Sequence, residues 1–598
     1  MMKKKRSILS RLFDYAGRYK YLTLSSWVLS AISALMALIP FIYIWLVIKE
    51  ALDVAPDFAA AQDMGHNGWM AVAWAVASML VYVCALMCSH LAAFRIASNI
   101  RIRMMHHIVK LPLGFMDDIG SGKLRKIVNE SSAATETYLA HQLPDKAGSI
   151  ATPIGLLVLL LYFDWRLGLL CLVPVVLAFS VLMTCMIGKR LKEDMNQYQT
   201  ALDRMTNEAV EYVRGIPVLK TFGQSVFSLK RFKSAIDDYG IFTIGYTRRL
   251  RIPMMFFTIL INAGFAVLIA AALYFTADGV SNEFLLNLIF YIIITPIITV
   301  TMNKVMYASE ENMKVEESLQ RIDSVMEIQP LTEAGQPQLP ADNSITFRGV
   351  TFRYKDAGRD ALHDVSFAIK PGEHVAFIGP SGGGKTTLAS LVARFRDVCG
   401  GEIRIGGVDV RNISATEMTR TVSFVFQDSK LIKGSILENV LMAKPDATRE
   451  EVLKALHGAQ CDDILEKMPD GIDTYIGTGG VYLSGGEQQR ISIARVMLRN
   501  TPIIILDEAT AFADPDNELK VQQAFSALSR GKTLIMIAHR LSTVTTADRI
   551  FVLQDGEVKE QGSHKELTAA GGLYAKMWSD YGRAAQWKVS SNPKTKED

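Results

Sequence analysis

The chain has 598 residues, 50% of them hydrophobic and 21% charged, with a formal net charge of +4. That length exceeds what one hydrophobic core organises and requires two or more domains. So small a positive excess gives no footing for nucleic-acid binding. The six cysteines fall at no disulfide or metal-ligand spacing, so nothing points to an oxidising compartment. Cys84 and Cys88, near His90, read as helix packing rather than as a soft metal site.

The N-terminal stretch MMKKKRSILSRLF has no small-residue cleavage site, and the apolar run after it is too long for a signal peptide. Six apolar stretches follow, near 21–48, 68–94, 143–163, 166–188, 252–275 and 283–306. Each is long enough to cross about 30 Å of hydrocarbon as a helix. The loops near 95–142 and 189–251 are rich in Lys and Arg, and the other loops carry almost none. That bias places both termini and the two long loops in the cytoplasm. Both loops keep helical spacing of apolar residues, so the membrane helices are expected to continue into the cytoplasm and turn back near LGFMDDIGSGKL and VRGIPVLKTFG. No Asp, Glu, Lys or Arg lies deep in the spans, which argues against transport coupled to a proton gradient.

Composition changes near residue 325. The expected organisation is a transmembrane domain over 1–325, a Pro/Gly-containing linker over 326–343, a soluble domain over 344–585 and a polar tail over 586–598. In the soluble part, short β-rich runs (HVAFIG, TVSFVF, PIIILD, TLIMIA) alternate with helical stretches, the pattern of an α/β domain.

HVAFIG reads as a buried strand, and GPSGGGKTTLASLVARF as a glycine-rich loop entering a helix. The spacing of Gly379 and Gly384-Lys385-Thr386 fits G-x-x-x-x-G-K-[ST], a phosphate-binding P-loop. Backbone N–H groups and the positive end of the helix converge on one point, and glycine leaves the main chain open to phosphate oxygens. Lys385 is placed for the β- and γ-phosphates and Thr386 for Mg²⁺. Ser381, Gly382 and Thr387 complete the nucleotide-binding set. The apolar strand IIILDEAT ends in Asp507-Glu508. There Asp507 is suited to order Mg²⁺ and Glu508 to polarise the attacking water. LSGGEQQR, from Leu483 to Arg490, supplies a second Ser-Gly-Gly helix start through Ser484, Gly485 and Gly486.

P-loop, signature, Asp-Glu strand and the downstream His539 in this order resemble an ATP-binding cassette (ABC) half-transporter, and the resemblance covers essentially the whole chain. It implies a membrane domain of six helices with long cytoplasmic extensions, fused to an α/β P-loop nucleotide-binding domain. It also implies ATP and Mg²⁺ as ligands. Two cassettes are implied too, because in this family one subunit's signature closes on ATP held by the other's P-loop. The partner is then a second half-transporter, in a homodimer or heterodimer within a lipid bilayer. Tyr354 resembles the aromatic that stacks on adenine. Gln427 resembles the glutamine that reaches Mg²⁺ and acts in catalysis, His539 the histidine on the γ-phosphate, and Asp514 the acidic residue that signals between cassettes. The turns at Phe115–Gly120 and Gly215–Thr221 resemble coupling helices. The chain departs from many relatives at Ala511-Phe512-Ala513 and at Thr478.

The resemblance implies an ATPase coupled to transport, in the bacterial inner membrane. DEATAFADPDNE and EYVRGIPVLKTFGQ resemble the branch that imports iron–siderophore complexes of the yersiniabactin and mycobactin types. Export of a lipid, peptide or drug is the alternative, and a soluble-type ATPase that regulates a membrane partner is a third class. Asn262, Tyr291, Thr295 and Asn303 are candidates to line a cargo cavity, with helix–helix hydrogen bonding as the other reading.

Overall fold

The computed structural model describes residues 6–186, 189–221, 230–277, 279–355, 357–427, 430–477, 480–507, 515–538 and 541–590. The chain forms two compact units. One comprises Met1–Ile108 with Gly122–Glu327; the other comprises Val109–Ser121 with Ile328–Asp598.

The first unit is helical. Met64–Lys110 runs for 47 residues and Asn282–Met326 for 45. At 1.5 Å per residue these reach about 70 Å, more than twice the thickness of the hydrocarbon layer. Among the described residues four helices are long and apolar enough to span a membrane: Ile8–Val54, Met64–Lys110, Ser121–Phe163 and Asn282–Met306. The pair Lys230–Asn262 and Gly264–Phe275, bent by 43°, makes a fifth if counted as one span. The remaining expected stretch forms the helix Trp165–Met186, of which Trp165–Val181 counts as a shorter apolar helix. The helix Lys189–Thr221 runs through Gly215, where a turn was expected, and residues 222–229 lie outside those described.

Small hydroxyl residues hold these helices together. On Lys20–Met36, Ser30 donates to the Pro144 carbonyl at 2.7 Å and Ser33 to the Ser78 carbonyl at 2.8 Å. Ser89 donates to the Ala140 carbonyl at 2.7 Å. Such side chains let backbones approach closely and give each hydroxyl a partner where water is absent. Near the N-terminus, Arg11 pairs with Glu316 at 3.2 Å and Asp323 at 2.6 Å.

The second unit contains two main sheets. Its strands are β1 (Ile345–Phe352), β2 (Leu362–Ile369), β3 (His374–Ile378), β4 (Gly400–Ile405), β5 (Val408–Asp409), β6 (Val422–Val425), β7 (Gly434–Ser435), β8 (Tyr475–Ile476), β9 (Ile503–Asp507), β10 (Thr533–Ile537), β11 (Arg549–Gln554) and β12 (Glu557–Gly562). The order β2-β1-β4-β5 makes an antiparallel sheet, and β12-β11-β3-β10-β9-β6 a second sheet. Strands β11, β3, β10, β9 and β6 pair in parallel. Their near-continuous apolar runs are what a sheet buried on both faces needs. In β9, Ile503 and Ile505 enter one core cluster, while Ile504 and Leu506 enter another on the opposite face.

Candidate functional site

Strand register brings the sequence motifs to one edge. Ile537 of β10 stands opposite both Phe377 of β3 and Asp507 of β9. Val425 of β6 stands opposite Leu506. The P-loop leaves β3 directly after this row, Asp507 closes β9, and Gln427 follows β6 as an exposed residue. The carboxyl ends of parallel strands are where α/β folds bind ligands. Glu508 and His539 follow β9 and β10 in the sequence; both lie outside the described residues, as do Thr478 and 511–514, Asp514 included.

The loop glycines do two different jobs. A Cβ on Gly379 would stand 1.9 Å from the Leu553 carbonyl oxygen, so that glycine admits the chain's own backbone and not a ligand. A Cβ on Gly384 would likewise meet the Ala361 carbonyl at 2.8 Å. Gly382, at φ +79°, has no protein atom near its missing Cβ. It is there, and not along the whole loop, that glycine leaves the approach open.

The helix Lys385–Val392 starts at Gly384. The Lys385 ammonium is buried and donates to the carbonyls of Gly379 at 2.9 Å and Pro380 at 3.0 Å, which holds it at the loop. Ser381 and Thr386 are exposed on the loop and the first helical turn. Thr387 is buried, and its hydroxyl meets that of Tyr354 at 2.8 Å. Tyr354, 25 residues before Gly379 in sequence, is thereby fixed at the foot of the P-loop helix. Thr386, Asp507 and Gln427 offer a hydroxyl, a carboxylate and an amide oxygen on one sheet edge. Hard oxygen donors with room for water are what Mg²⁺ takes, so these residues fit it. No cluster of three His, Cys, Asp or Glu suited to a metal occurs among the described residues; His90 packs edge-on to His141, with ring centroids 4.6 Å apart.

The signature forms the start of the helix Gly485–Arg499. Ser484 accepts from the Glu487 N–H at 3.3 Å, and Glu487 accepts from the Ser484 N–H at 2.8 Å, a closed capping box. Ser484 and Gly485 are exposed. Gly486 is buried where a Cβ would lie 3.3 Å from Asn517. Arg490 at the end of the motif is 0% exposed. It bonds the Gln460 carbonyl, Asp463 at 2.6 and 3.3 Å, and Asn517 at 3.2 Å. Lys520 adds a bond to Asp463 at 2.8 Å. Burial works to raise the Asp463 carboxyl, but the bonds from Arg490 and Lys520 outweigh it and hold it at about 2 instead of 3.8. Asp463, Asn517 and Lys520 were not foreseen; nothing local in the sequence ties them to LSGGEQQR.

The cargo candidates separate. Tyr291 is fully buried: its hydroxyl lies 2.8 Å from the Asp164 carbonyl, against that of Leu160, and accepts from the Asp164 N–H at 3.2 Å. Thr295 is buried and donates to the Tyr291 carbonyl at 2.7 Å. Asn262 is exposed and donates to the Thr258 carbonyl at 2.8 Å. Asn303 is half-buried. None of the four lines a cavity of about 390 Å³ in the membrane unit, whose polar lining includes Ser30, Ser33, Tyr82, Asp145, Thr301 and Lys304. Asp145 and Lys304, near the ends of their apolar stretches, put charge on this cavity, where the uncharged span interiors had suggested none.

Residues 24–303 match the ABC transporter transmembrane region and residues 362–511 the ABC transporter ATP-binding module. The mycobactin import ATP-binding/permease protein IrtA of Mycobacterium tuberculosis is 34% identical over 95% of this chain and 65% of its own length. The chain spans 61 to 65% of the mycobactin-import relatives it matches. The ATP-dependent lipid A-core flippase of Methylobacillus flagellatus is 34% identical over 81% of this chain and 82% of its own. A bacterial Atm1-family ABC exporter with ATP bound superposes with a TM-score of 0.72 at 25% identity, over 97% of this chain and 99% of that one. A helical unit, a P-loop sheet and an exposed signature therefore come from one lineage: the chain belongs to the ABC transporter family, with transmembrane region and ATP-binding module fused.

Proposed function

We propose that this chain is half of a dimeric transporter that couples Mg²⁺-dependent ATP hydrolysis to import of a ferric siderophore across the bacterial inner membrane, with both termini in the cytoplasm. The cavity is the observation that carries the cargo class. The Lys304 ammonium and the Thr301 hydroxyl suit the oxygen ligands around a ferric ion, and Leu38, Phe41, Ile297 and Val300 suit an organic body, while the Tyr82 phenol is held by the Asp145 carboxylate at 2.9 Å. The likeness to mycobactin importers over 95% of the chain supports the same reading. Lipid export is the second reading, favoured by the flippases that match this chain over most of their own length. Peptide and drug export share its outward direction.

In the ATP-binding module, Lys385 and the loop N–H groups would bind the β- and γ-phosphates, and Thr386, Asp507 and Gln427 would hold Mg²⁺. The ion supplies charge neutralisation at the phosphates. Glu508 would orient and deprotonate the attacking water, His539 would contact the γ-phosphate, and Asp514 would face the second cassette.

The test is uptake of radioactive iron as its mycobactin complex into cells carrying this chain and its partner. Loss of uptake on deletion, restored by the wild-type chain and not by Glu508→Gln, is the expected result. Unchanged uptake together with lost lipid flipping would favour the exporter.

A mixed dimer tests the shared site. Ser484 and Gly485 are exposed and lie at a helix start separate from the P-loop helix. Ser484→Arg in one chain and Lys385→Ala in the other should damage one composite site and spare the other. Nucleotide occupancy should fall to about half in that arrangement, and to near zero when both substitutions sit in the same chain of every dimer. Equal loss at both sites of the mixed dimer would contradict a signature that serves the opposite P-loop.

A further inference from the structure

The short helix Gly114–Ile119 lies in the stretch Val109–Ser121, which belongs to the same compact unit as the ATP-binding module. Its Gly114 N–H donates to the Phe395 carbonyl at 3.2 Å, and the Arg396 guanidinium donates back to the Gly114 carbonyl. Only glycine permits this approach: a Cβ on residue 114 would stand 2.4 Å from Arg396 Nε and 2.6 Å from its Cγ. The same guanidinium lies over the Tyr354 ring, 4.9 Å from its centroid. Tyr354 is held on two further sides, by Thr387 through its hydroxyl and by Phe352, whose ring stands nearly perpendicular with centroids 5.0 Å apart.

One planar cation thus touches the proposed adenine platform and the main chain of the segment that continues from the helix Met64–Lys110. A guanidinium carries its donors in a rigid fork and also stacks on aromatic faces. Its plane cannot follow Tyr354 and stay on the Gly114 carbonyl unless both move together. We propose that Arg396 is a positioning residue through which a base stacked on Tyr354 sets the docking of Val109–Ser121. The inference rests on Tyr354 being the adenine platform. Coupling of this kind is reciprocal, so disturbing Gly114 must also change nucleotide affinity.

Amide hydrogen exchange of the full chain in nanodiscs, with and without saturating AMP-PNP and Mg²⁺, tests it. In the wild type the nucleotide should slow exchange in Val109–Ser121 by about fivefold or more. Arg396→Ala should abolish that difference at nucleotide concentrations where binding is complete. Arg396→Lys keeps a cation for the ring but loses the fork; it should restore affinity to within about twofold and leave the protection lost. Gly114→Ala should lose protection and weaken AMP-PNP binding together. Protection that persists in Arg396→Ala or Arg396→Lys, or that is missing from the wild type, overturns the proposal. Unchanged AMP-PNP affinity in Tyr354→Ala would instead remove the platform reading, a separate failure.

Discussion

Glu508→Gln is expected to cut ATP turnover by about 10²- to 10⁴-fold, the usual worth of a positioned general base, while ATP binding changes little. Strand β9 ends in Asp507, in register with the strands that lead to the P-loop. The next side chain in sequence is a carboxylate. An amide in its place keeps the size and loses the charge that polarises water, so nucleotide is held but not cleaved. Lys385→Ala should do the opposite. Its ammonium is built into the loop by two carbonyl bonds, and its loss removes charge-assisted contacts already present with bound ATP, so affinity falls by about tenfold or more. Phosphate release and retained radiolabelled ATP, measured on the same preparations, separate the two. Turnover within about threefold of wild type in Glu508→Gln would exclude Glu508 from the role, because a lost general base costs far more than that.

What was legible in the sequence was local. HVAFIG and IIILD are buried strands because each is a short apolar run between turn signals, and the structure pairs both with β10. The P-loop and signature were legible because their chemistry needs several groups within a few residues. Contacts between distant positions were not. Arg396 meets the Gly114 carbonyl across 282 residues, and neither residue stands out in its own stretch. The glycines of GPSGGGKTTL looked alike in sequence, yet Gly379 answers to the Leu553 backbone and Gly382 to open space. The polar residues in the apolar spans were the hardest. Tyr291 reads equally as a cavity wall or an interhelical bond, and only the position of the Leu160–Asp164 carbonyls decides for the bond. Nothing local in the sequence singles out Ser30 and Ser33 of Lys20–Met36, which both bond a neighbouring helix and line the cavity.

Arg490→Ala should destabilise the ATP-binding module by about 3–5 kcal/mol, the cost of breaking a buried ion pair from one side. At about 2–4 °C per kcal/mol for a domain of this size, its melting point should fall by about 6–20 °C. The arginine side chain is 1% exposed and Asp463 is 28% exposed. Removing the guanidinium leaves Asp463 to Lys520 alone and strips partners from the Gln460 carbonyl and Asn517. Arg490→Lys should recover little, because one ammonium cannot span Asp463, Gln460 and Asn517 in the plane of a fork. The pH dependence fixes the cause. Asp463 has its folded value depressed from 3.8 to about 2. Its contribution is therefore complete above pH 3.8 and is lost as pH falls through that window. The stability gap between wild type and Arg490→Ala should be widest near neutral pH and should narrow from about pH 4 towards pH 2. Because Gly486 packs on the same Asn517, loosening this network should also weaken the exposed signature start, with nucleotide-driven dimerisation falling before the fold is lost. A gap that stays constant down to pH 2 would mean that Arg490 acts through packing and not through its charge on Asp463.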